Sequence, residues 1–476
     1  MFDLLNDFLW SYVIVIVLVG LGLYFTIASR FVQFRYFGRM FGILKEAGVR
    51  KKGQLSSFQA LMLSVAGRVG GGNIAGVAVA ITLGGPGAIF WMWLIALVGM
   101  ATSYFECTIA QVFKQRSAEG IYQGGPAFYI ERGLGMKWLG LLVSFLLLIT
   151  FGFGFNAVQS YTIASSLADT FAIGHGVTGV VLALVFALII FGGILRIGKA
   201  ADILVPVMAV SYILVSLYVF VLRFEEIPAA LALIVRSAFG LEAALGGGIG
   251  AAITVGVKRG LFSNEAGLGS APNVAAAADV PHPAAQGVVQ AFSVFIDTIV
   301  ICTCTSLVIL LSGVYQPGME AAGGVILTQT ALSAVVGEWG RAFVSFALLL
   351  FVFTSIIYNY FLGQNALQYY TQSKAAVLIY RLLVVLMVWW GSVQDLSTVF
   401  GFADLTMGLL AVANLVALAL LFKVVLRVMH DYDRQIRAGV TIPVFDASQF
   451  TDLNLDPSVW STSTKPIVSP PRPVER

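Results

Sequence analysis

Charged residues are scarce in this sequence, and that scarcity excludes an ordinary soluble protein. Only 11% of its 476 residues are Asp, Glu, Lys or Arg, against about a quarter in typical soluble domains. Apolar residues make up 59% of the chain, and the mean hydropathy is +0.91. The composition therefore indicates a protein that crosses the membrane many times.

Other scarcities exclude further classes. The net charge of +4 is small and spread over loops, so neither a nucleic-acid partner nor a nucleic-acid function is predicted. No Gly-x-x-x-x-Gly-Lys-Ser/Thr phosphate loop and no His/Asp/Ser grouping is present, so neither nucleotide use nor enzymatic hydrolysis is predicted. The three cysteines (Cys107, Cys302 and Cys304) all lie within apolar segments and are interpreted as small core residues.

Apolar runs long enough to span a bilayer recur along the chain. Eleven spans are predicted, over residues 9–28, 56–83, 86–113, 137–167, 176–195, 201–222, 240–262, 284–312, 341–370, 375–391 and 396–427. Basic residues cluster in alternate loops, beginning after the first span, so the positive-inside rule places the N-terminus outside and the C-terminus in the cytoplasm. From Asp446 the chain is polar and proline-rich, which predicts a flexible tail.

Three consecutive glycines, Gly70 to Gly72, interrupt the second apolar run and are followed by Asn73. Interior glycine weakens a helix, so the triplet predicts an unwound joint between two half-helices. Free backbone N–H and C=O groups survive within a membrane only where protein or water covers them. Such a joint could hold a cation and a carboxylate together. The alternative is close helix packing through small residues.

A second glycine-rich stretch lies at Leu245 to Gly256. It opens a second set of five spans, just as the glycine triplet opens the first set. Paired interruptions in two inverted halves are typical of a transporter site near the bilayer midplane. If Lys258 and Arg259 lie near the cytoplasmic surface, a break over residues 246–250 is level with the first. Gly248, Ile249 and Gly250 would then face the joint, unless they only pack helices.

Polar residues within the spans offer further candidate contacts. Gln159 could reach a substrate or could bridge two helices. Thr354 and Ser355 are adjacent hydroxyls that could join free carbonyls in an all-oxygen shell for sodium, although such pairs usually bond to their own helix. Ionisable residues inside a membrane are functional candidates by default, and Arg68, Glu106, Asp297 and Asp404 are of this kind. We expect Arg68 to pair with a carboxylate such as Glu106.

Several motifs resemble those of the alanine or glycine:cation symporter family. They are GRVGGGNIAGVAVAI, GGPGAIFWMW, GGPAFYI, RGLFSNEAGLGSAP and FIDTIVICTCTSLVIL, and the resemblance covers nearly all of residues 9 to 427. It implies an all-α polytopic membrane protein with a leucine-transporter-type five-plus-five inverted repeat and one extra N-terminal helix. It also implies the coupling of sodium, or sometimes protons, to the uptake of small neutral amino acids.

The resemblance also implies a site. The substrate carboxylate would bind the backbone of Gly70 to Gly72, with Asn73 and Gln159 as polar contacts and residues 248–250 as the facing wall. Sodium would bind the carbonyls of Ala66 and Val69 with Thr354 and Ser355, and Ser263 to Gly267 would lie at the cytoplasmic gate. Family members often carry threonine at position 71 and tryptophan at position 400. Gly71 and Phe400 could therefore enlarge this pocket and admit serine, glutamine or another neutral amino acid.

The sequence thus predicts a sodium symporter for alanine or glycine in a bacterial inner membrane, for which a monomer would suffice. The alternatives are proton coupling, another neutral amino acid, or an uncoupled channel or sensor. The predicted units are an extra helix with a basic loop, the first repeat, an external connection, the second repeat and a cytoplasmic tail, over residues 1–54, 55–222, 223–239, 240–427 and 428–476.

Overall fold

The computed structural model describes residues 6–46, 54–117, 120–191, 194–240, 248–319, 324–460 and 467–468. Over these residues the chain is almost entirely helical. The α-helices are α1 Val15–Ala28, α2 Val32–Arg35, α3 Phe37–Glu46, α4 Ser57–Arg68, α5 Val77–Gly84, α6 Gly87–Val112, α7 Pro126–Leu134, α8 Lys137–Ile149, α9 Asn156–Phe171, α10 His175–Ile190, α11 Ile194–Leu222, α12 Ile227–Ala238, α13 Gly248–Asn264, α14 Ser270–Ala277, α15 Pro283–Val294, α16 Thr303–Leu311, α17 Val325–Val336, α18 Trp339–Tyr370, α19 Lys374–Ser392 and α20 Leu396–Arg437.

Shorter elements connect or extend these helices. Four π-helical segments, Leu9–Ile14, Gly72–Gly76, Thr150–Phe155 and Phe295–Cys302, run directly into α-helices, and Phe224–Glu226 and Ala447–Phe450 are 3-10 turns. Two antiparallel strand pairs join β1 Gln115–Arg116 to β2 Tyr122–Gln123, and β3 Val440–Ile442 to β4 Ile467–Val468.

Within the described residues, eight helical segments are long and apolar enough to cross a membrane, or nine if one bent pair counts as a span. The protein is thus an all-α polytopic membrane protein. Helices occupy at least part of each of the eleven predicted spans, but residues 192–193 and 241–247 within these spans are outside the described parts of the chain. However, α10 and α13 have only 16 and 17 residues, fewer than the roughly 20 that a straight span needs.

The first broken helix consists of α4, a short joint, and the π-helical turn that leads into α5. A capping box starts α4: Ser56 Oγ accepts the backbone N–H of Gln59 at 3.1 Å, and Gln59 Oε1 accepts that of Ser56 at 3.2 Å. The helix ends at Arg68, since Val69 is extended with ψ at 92°. Beyond the joint the axis bends by 50°. The break therefore lies at the glycine triplet.

In the described residues, the second break follows α13 and does not fall at residues 248–250. Positions 246 and 247 are outside the described residues, and α13 runs continuously from Gly248 to Asn264. The chain then leaves the helix for five residues before α14 starts, with positive φ at Glu265, Gly267 and Gly269. Because left-handed backbone cannot continue a right-handed helix, this stretch interrupts the helix within the described part of the chain.

The two broken helices run antiparallel. The Asp279 N–H, just beyond α14, donates to the carbonyl of Leu55, just before α4, at 2.9 Å. At the opposite ends, a Cβ built on Gly84 would lie 3.1 Å from Val255 Cβ. Between these ends the breaks meet, since a Cβ on Gly72 would lie 3.0 Å from the Phe262 ring.

The last helix extends past the predicted span to Arg437, and the polar segment after it is folded as far as the structure describes it. Phe450 and Trp460 are buried, and the Trp460 indole donates to the carbonyl of Val112 at 3.2 Å. The flexible tail predicted from Asp446 is therefore wrong for residues 446–460, because aromatic side chains anchor that segment to the helix ends.

Candidate functional site at the facing helix breaks

The glycine joint is buried, and side-chain amides satisfy its backbone. The Gly70 N–H donates to Asn73 Oδ1 at 2.9 Å, and the Gly71 N–H donates to Gln159 Oε1 at 2.8 Å. The sequence predicted these N–H groups to be free. In the structure two neutral amide oxygens, which a ligand carboxylate could replace, accept from them.

The joint is also too crowded for a side chain at Gly70. A Cβ there would lie 2.6 Å from Ser355 Oγ and 2.7 Å from Gln159 Nε2. Glycine at this position lets two functional side chains approach the main chain directly. Gly76, in the same broken helix, differs from Gly70 because a Cβ built there would have no atom within 4 Å.

Oxygen atoms converge beside the joint around the hydroxyl of Ser355. Its Oγ lies 2.9 Å from the carbonyl oxygen of Phe351 in its own helix, and 3.0, 3.4 and 3.5 Å from the carbonyl oxygens of Ala66, Gly67 and Val69. Ala66 and Gly67 lie in the last turn of α4 and Val69 directly follows it, so the break leaves these carbonyls without helical partners. An all-oxygen donor set of this kind suits a hard cation such as sodium.

Thr354 is not part of this oxygen cluster. Its Oγ1 donates back to the carbonyls of Leu350 and Phe351 at 3.1 and 3.0 Å, and its outer neighbour is Met208 Sδ at 3.9 Å. Adjacent helical residues point about 100° apart, so one hydroxyl of the pair faces the joint while the other faces α11.

A buried carboxylate, Asp297 in the π-helical segment Phe295–Cys302, joins both broken helices. Asp297 Oδ1 accepts from Asn73 Nδ2 at 2.5 Å, and Asp297 Oδ2 accepts from Ser263 Oγ at 2.9 Å. Thr298 Oγ1 donates to the same Oδ2 at 2.5 Å. Asn73 therefore links the glycine joint to Asp297: its amide oxygen accepts from the Gly70 N–H, and its amide nitrogen donates to the carboxylate.

An aromatic pair and an ion pair cover the joint on the Gly84 side. The Phe262 ring lies against Gly72 and is 5.6 Å from the ring of Phe400. Arg259 donates to both oxygens of Asp404 at 2.5 Å, and its guanidinium lies 4.9 Å from the Phe400 ring. This cover could open and close access to the joint from that side.

The position of Arg259 corrects the depth predicted for the basic pair. Arg259 is buried one helical turn from Ser263, and the Lys258 ammonium lies 3.5 Å from Asp404. Arg259 is therefore inside the helix bundle, where Asp404 compensates its charge, and Lys258 is partly exposed beside it. Consequently the predicted gate segment, Ser263 to Gly267, is buried, and it spans the end of α13 and the first three residues of the second break.

The predicted pair between Arg68 and Glu106 does not form. Both are buried, but Arg68 donates to Ser293 Oγ, to the carbonyl of Gln290 at 3.2 Å and to Ser103 Oγ at 3.1 Å. Glu106 Oε2 instead accepts from the Gly269 N–H at 3.2 Å and from Asn414 Nδ2 at 3.4 Å. Glu106 thereby supports the end of the second break.

The glycines predicted to face the joint lie far from it. Gly248, Ile249 and Gly250 form the exposed first turn of α13. At 1.5 Å per residue, the 15 steps to Ser263 amount to about 22 Å along the helix. The structure therefore brings together Ala66, Val69, Gly70 to Gly72, Asn73, Gln159, Ser355 and Phe400, and leaves out Thr354 and residues 248–250.

Sequence reasoning overlooked Phe262 and Ser263 as neighbours of the joint. It named Asp297 only as an ionisable candidate. The missed signal is the run of Ser263, Asn264 and Glu265 in the middle of an apolar region, since polar residues at that depth need buried partners.

Two buried helix breaks that face each other in antiparallel helices are typical of secondary transporters. A model of the sodium:alanine symporter family matches residues 1–447. The chain therefore belongs to the sodium:alanine symporter family.

Individual relatives match over nearly their whole length. The chain is 47% identical over 448 residues to the amino-acid carrier protein AlsT of Bacillus subtilis, covering 94% of this chain and 95% of AlsT. It is 46% identical over 442 residues to a Bacillus subtilis protein named probable sodium/glutamine symporter GlnT, covering 92% and 91%. It is 39% identical over 428 residues to the sodium/alanine symporter AgcS of Methanococcus maripaludis, covering 88% and 94%.

Proposed function

We propose that this protein couples sodium entry to the uptake of small neutral amino acids, with alanine and glycine as the first substrates to test. The observation that carries the proposal is the oxygen cluster of Ser355 with Ala66 and Val69, directly beside the buried glycine joint. One place thus offers oxygen ligands for a cation and N–H donors for a carboxylate. Family membership and the names of AlsT and AgcS support the same function.

In the proposed binding mode, the substrate carboxylate takes the place of the Gln159 amide oxygen at the Gly71 N–H. Sodium binds the carbonyls of Ala66 and Val69 with the hydroxyl of Ser355. A cation and a carboxylate at adjacent positions stabilise each other in a buried site, which would make amino-acid binding depend on sodium. Phe262 and Phe400 form the apolar side of the pocket.

We propose a five-plus-five inverted repeat of the leucine-transporter type with one extra N-terminal helix, and eleven spans in all. The antiparallel broken helices with facing breaks support this arrangement. Alternating access would then follow from movement of the broken helices, with the Arg259–Asp404 pair and its aromatic neighbours closing the Gly84 side. Following the positive-inside rule, we place the N-terminus outside a bacterial inner membrane and the C-terminus in the cytoplasm.

A larger neutral amino acid is a second candidate substrate. Gly71 adds no side chain to the joint, and the relative GlnT carries glutamine in its name. Coupling to protons as well as sodium is supported by the buried carboxylate of Asp297 and by a relative named sodium/proton-dependent alanine carrier protein.

Transport in proteoliposomes tests the proposal. Labelled alanine should accumulate when an inward sodium gradient is imposed, and accumulation should stop when choline replaces sodium. Preloaded unlabelled alanine should drive counterflow without a continuous conductance, which distinguishes a carrier from a channel or a sensor. Protein-free liposomes are the control. Alanine uptake that is equal in sodium and in choline would contradict sodium coupling.

A further inference from the structure

A basic cavity lies at the junction of the first and last helices, far in sequence from the helix breaks. Its volume is about 310 Å³, and its charged lining consists of Arg30, Arg35, Asp433, Arg434 and Arg437, together with His430. Four arginines against one aspartate leave a net charge of +3 when His430 is neutral. We call this feature the arginine cavity.

Local structure explains why these residues converge. His430, Asp433, Arg434 and Arg437 recur at intervals of three and four along α20, so they share one face of that helix. The opposite wall comes from the sharp turn between α1 and α2. There Arg30 and Phe31 both adopt left-handed backbone, with φ at 56° and 57°, a conformation uncommon for residues other than glycine.

The acidic residues nearby do not neutralise the arginine cavity. Arg35 pairs with Asp433 at 2.7 Å, and Arg434 pairs with Asp431 behind the lining. Arg30 and Arg437 are both exposed, and neither forms an ion pair with an acidic residue in the described parts of the chain. Two guanidinium groups are therefore available to an anion, and guanidinium groups bind phosphate oxygens in bidentate fashion.

Exposed apolar side chains stand close to Arg30 in sequence, in the last turn of α1, in the turn after it and in α2. Ile27, Phe31 and Phe34 are 66%, 52% and 60% exposed, as expected of side chains that face acyl chains. A small soluble anion has no apolar part that could contact these side chains. A phospholipid would place its headgroup in the cavity and its acyl chains against them. Basic pockets beside membrane helices are suited to anionic headgroups.

We propose that the arginine cavity binds the headgroup of an anionic phospholipid. The phosphodiester lies between Arg30 and Arg437, while Arg35 and Arg434 stay in their ion pairs and add to the local positive potential. This site is separate from the helix breaks, so its test does not depend on transport.

Native mass spectrometry of the purified full-length protein tests the site with phosphatidylglycerol and phosphatidylcholine added in equal amounts. The wild-type protein should retain phosphatidylglycerol preferentially. The double variant R30Q/R437Q should bind it about 30-fold more weakly, since each basic residue near an anionic lipid contributes about fivefold. The variant breaks no ion pair in the described structure, and an unchanged elution volume and melting temperature would verify its fold.

The matched control removes two exposed positive charges elsewhere. K374Q/K423Q should bind phosphatidylglycerol within about threefold of the wild type, because neither lysine lines the cavity. Equal losses in both double variants would mean diffuse surface attraction and would overturn the proposal. Displacement of phosphatidylglycerol by millimolar inorganic phosphate would mark a soluble-anion site and would overturn it as well.

Discussion

The two helix breaks face each other but are built in different ways. The first has no side chains at Gly70 to Gly72, and its N–H groups donate to the amide oxygens of Asn73 and of Gln159 on α9. The second is held by polar residues at and beside it, since Ser263 at the end of α13 donates to Asp297 and Ser270 Oγ donates to Glu265 Oε2 at 2.6 Å. We propose on this basis that the first break exchanges its hydrogen-bond partners for the ligands, while the second is a fixed support.

The largest effect is expected from crowding the first break. Gly70→Ala places a methyl group about where Ser355 Oγ and the Gln159 amide now approach the main chain. Sodium-dependent alanine uptake should fall by about 100-fold, as misplacement of about 1 Å in a functional site can cause. Uptake is measured in proteoliposomes that contain equal amounts of inserted protein.

Gly76→Ala is the matched control, because a Cβ at Gly76 meets no atom within 4 Å. It should transport alanine at close to the wild-type rate. Equal activity of the two variants would show that the crowded joint is not where the ligands bind.

An intermediate effect is expected from the oxygen cluster. Ser355→Ala removes the hydroxyl that contacts the carbonyls of Ala66 and Val69, so the half-saturating sodium concentration should rise about 10-fold. Thr354→Val should change it by no more than about twofold, because Thr354 faces Met208. If instead Thr354→Val raised the sodium requirement and Ser355→Ala did not, the proposed cation site would be wrong.

The smallest effect is expected at the glycines that the sequence assigned to the second break. Gly250→Ala lies in an exposed helical turn with nothing within 4 Å of its Cβ. A compatible glycine-to-alanine change alters stability only slightly, so alanine uptake should stay within about twofold of the wild type. A strong loss of transport would contradict this expectation and would indicate that residues 248–250 belong to the binding site.

The first break could be predicted because a run of three glycines within an apolar span is visible locally. The second could not, since its depth was inferred from Lys258 and Arg259 on the assumption that a basic pair marks the membrane surface. Their burial depends on Asp404, 145 residues from Arg259 in sequence. Long-range charge compensation of this kind leaves no local signal in one sequence.

The pair Thr354 and Ser355 and the C-terminal segment were also mispredicted because their contacts depend on the folded structure. The sequence placed Thr354 and Ser355 together, but helix geometry lets only Ser355 face the joint. The C-terminal segment looked flexible because it is polar and rich in proline. Phe450 and Trp460 were the signal that it packs, and their binding surface exists only in the folded protein.

A structure determined with sodium and alanine bound tests the central claim most directly. We expect the alanine carboxylate within hydrogen-bonding distance of the N–H groups at Gly70 to Gly72, with the Gln159 amide displaced. A sodium ion should lie among the oxygens of Ala66, Val69 and Ser355. Alanine bound at residues 248–250, or sodium bound away from Ser355, would contradict the account.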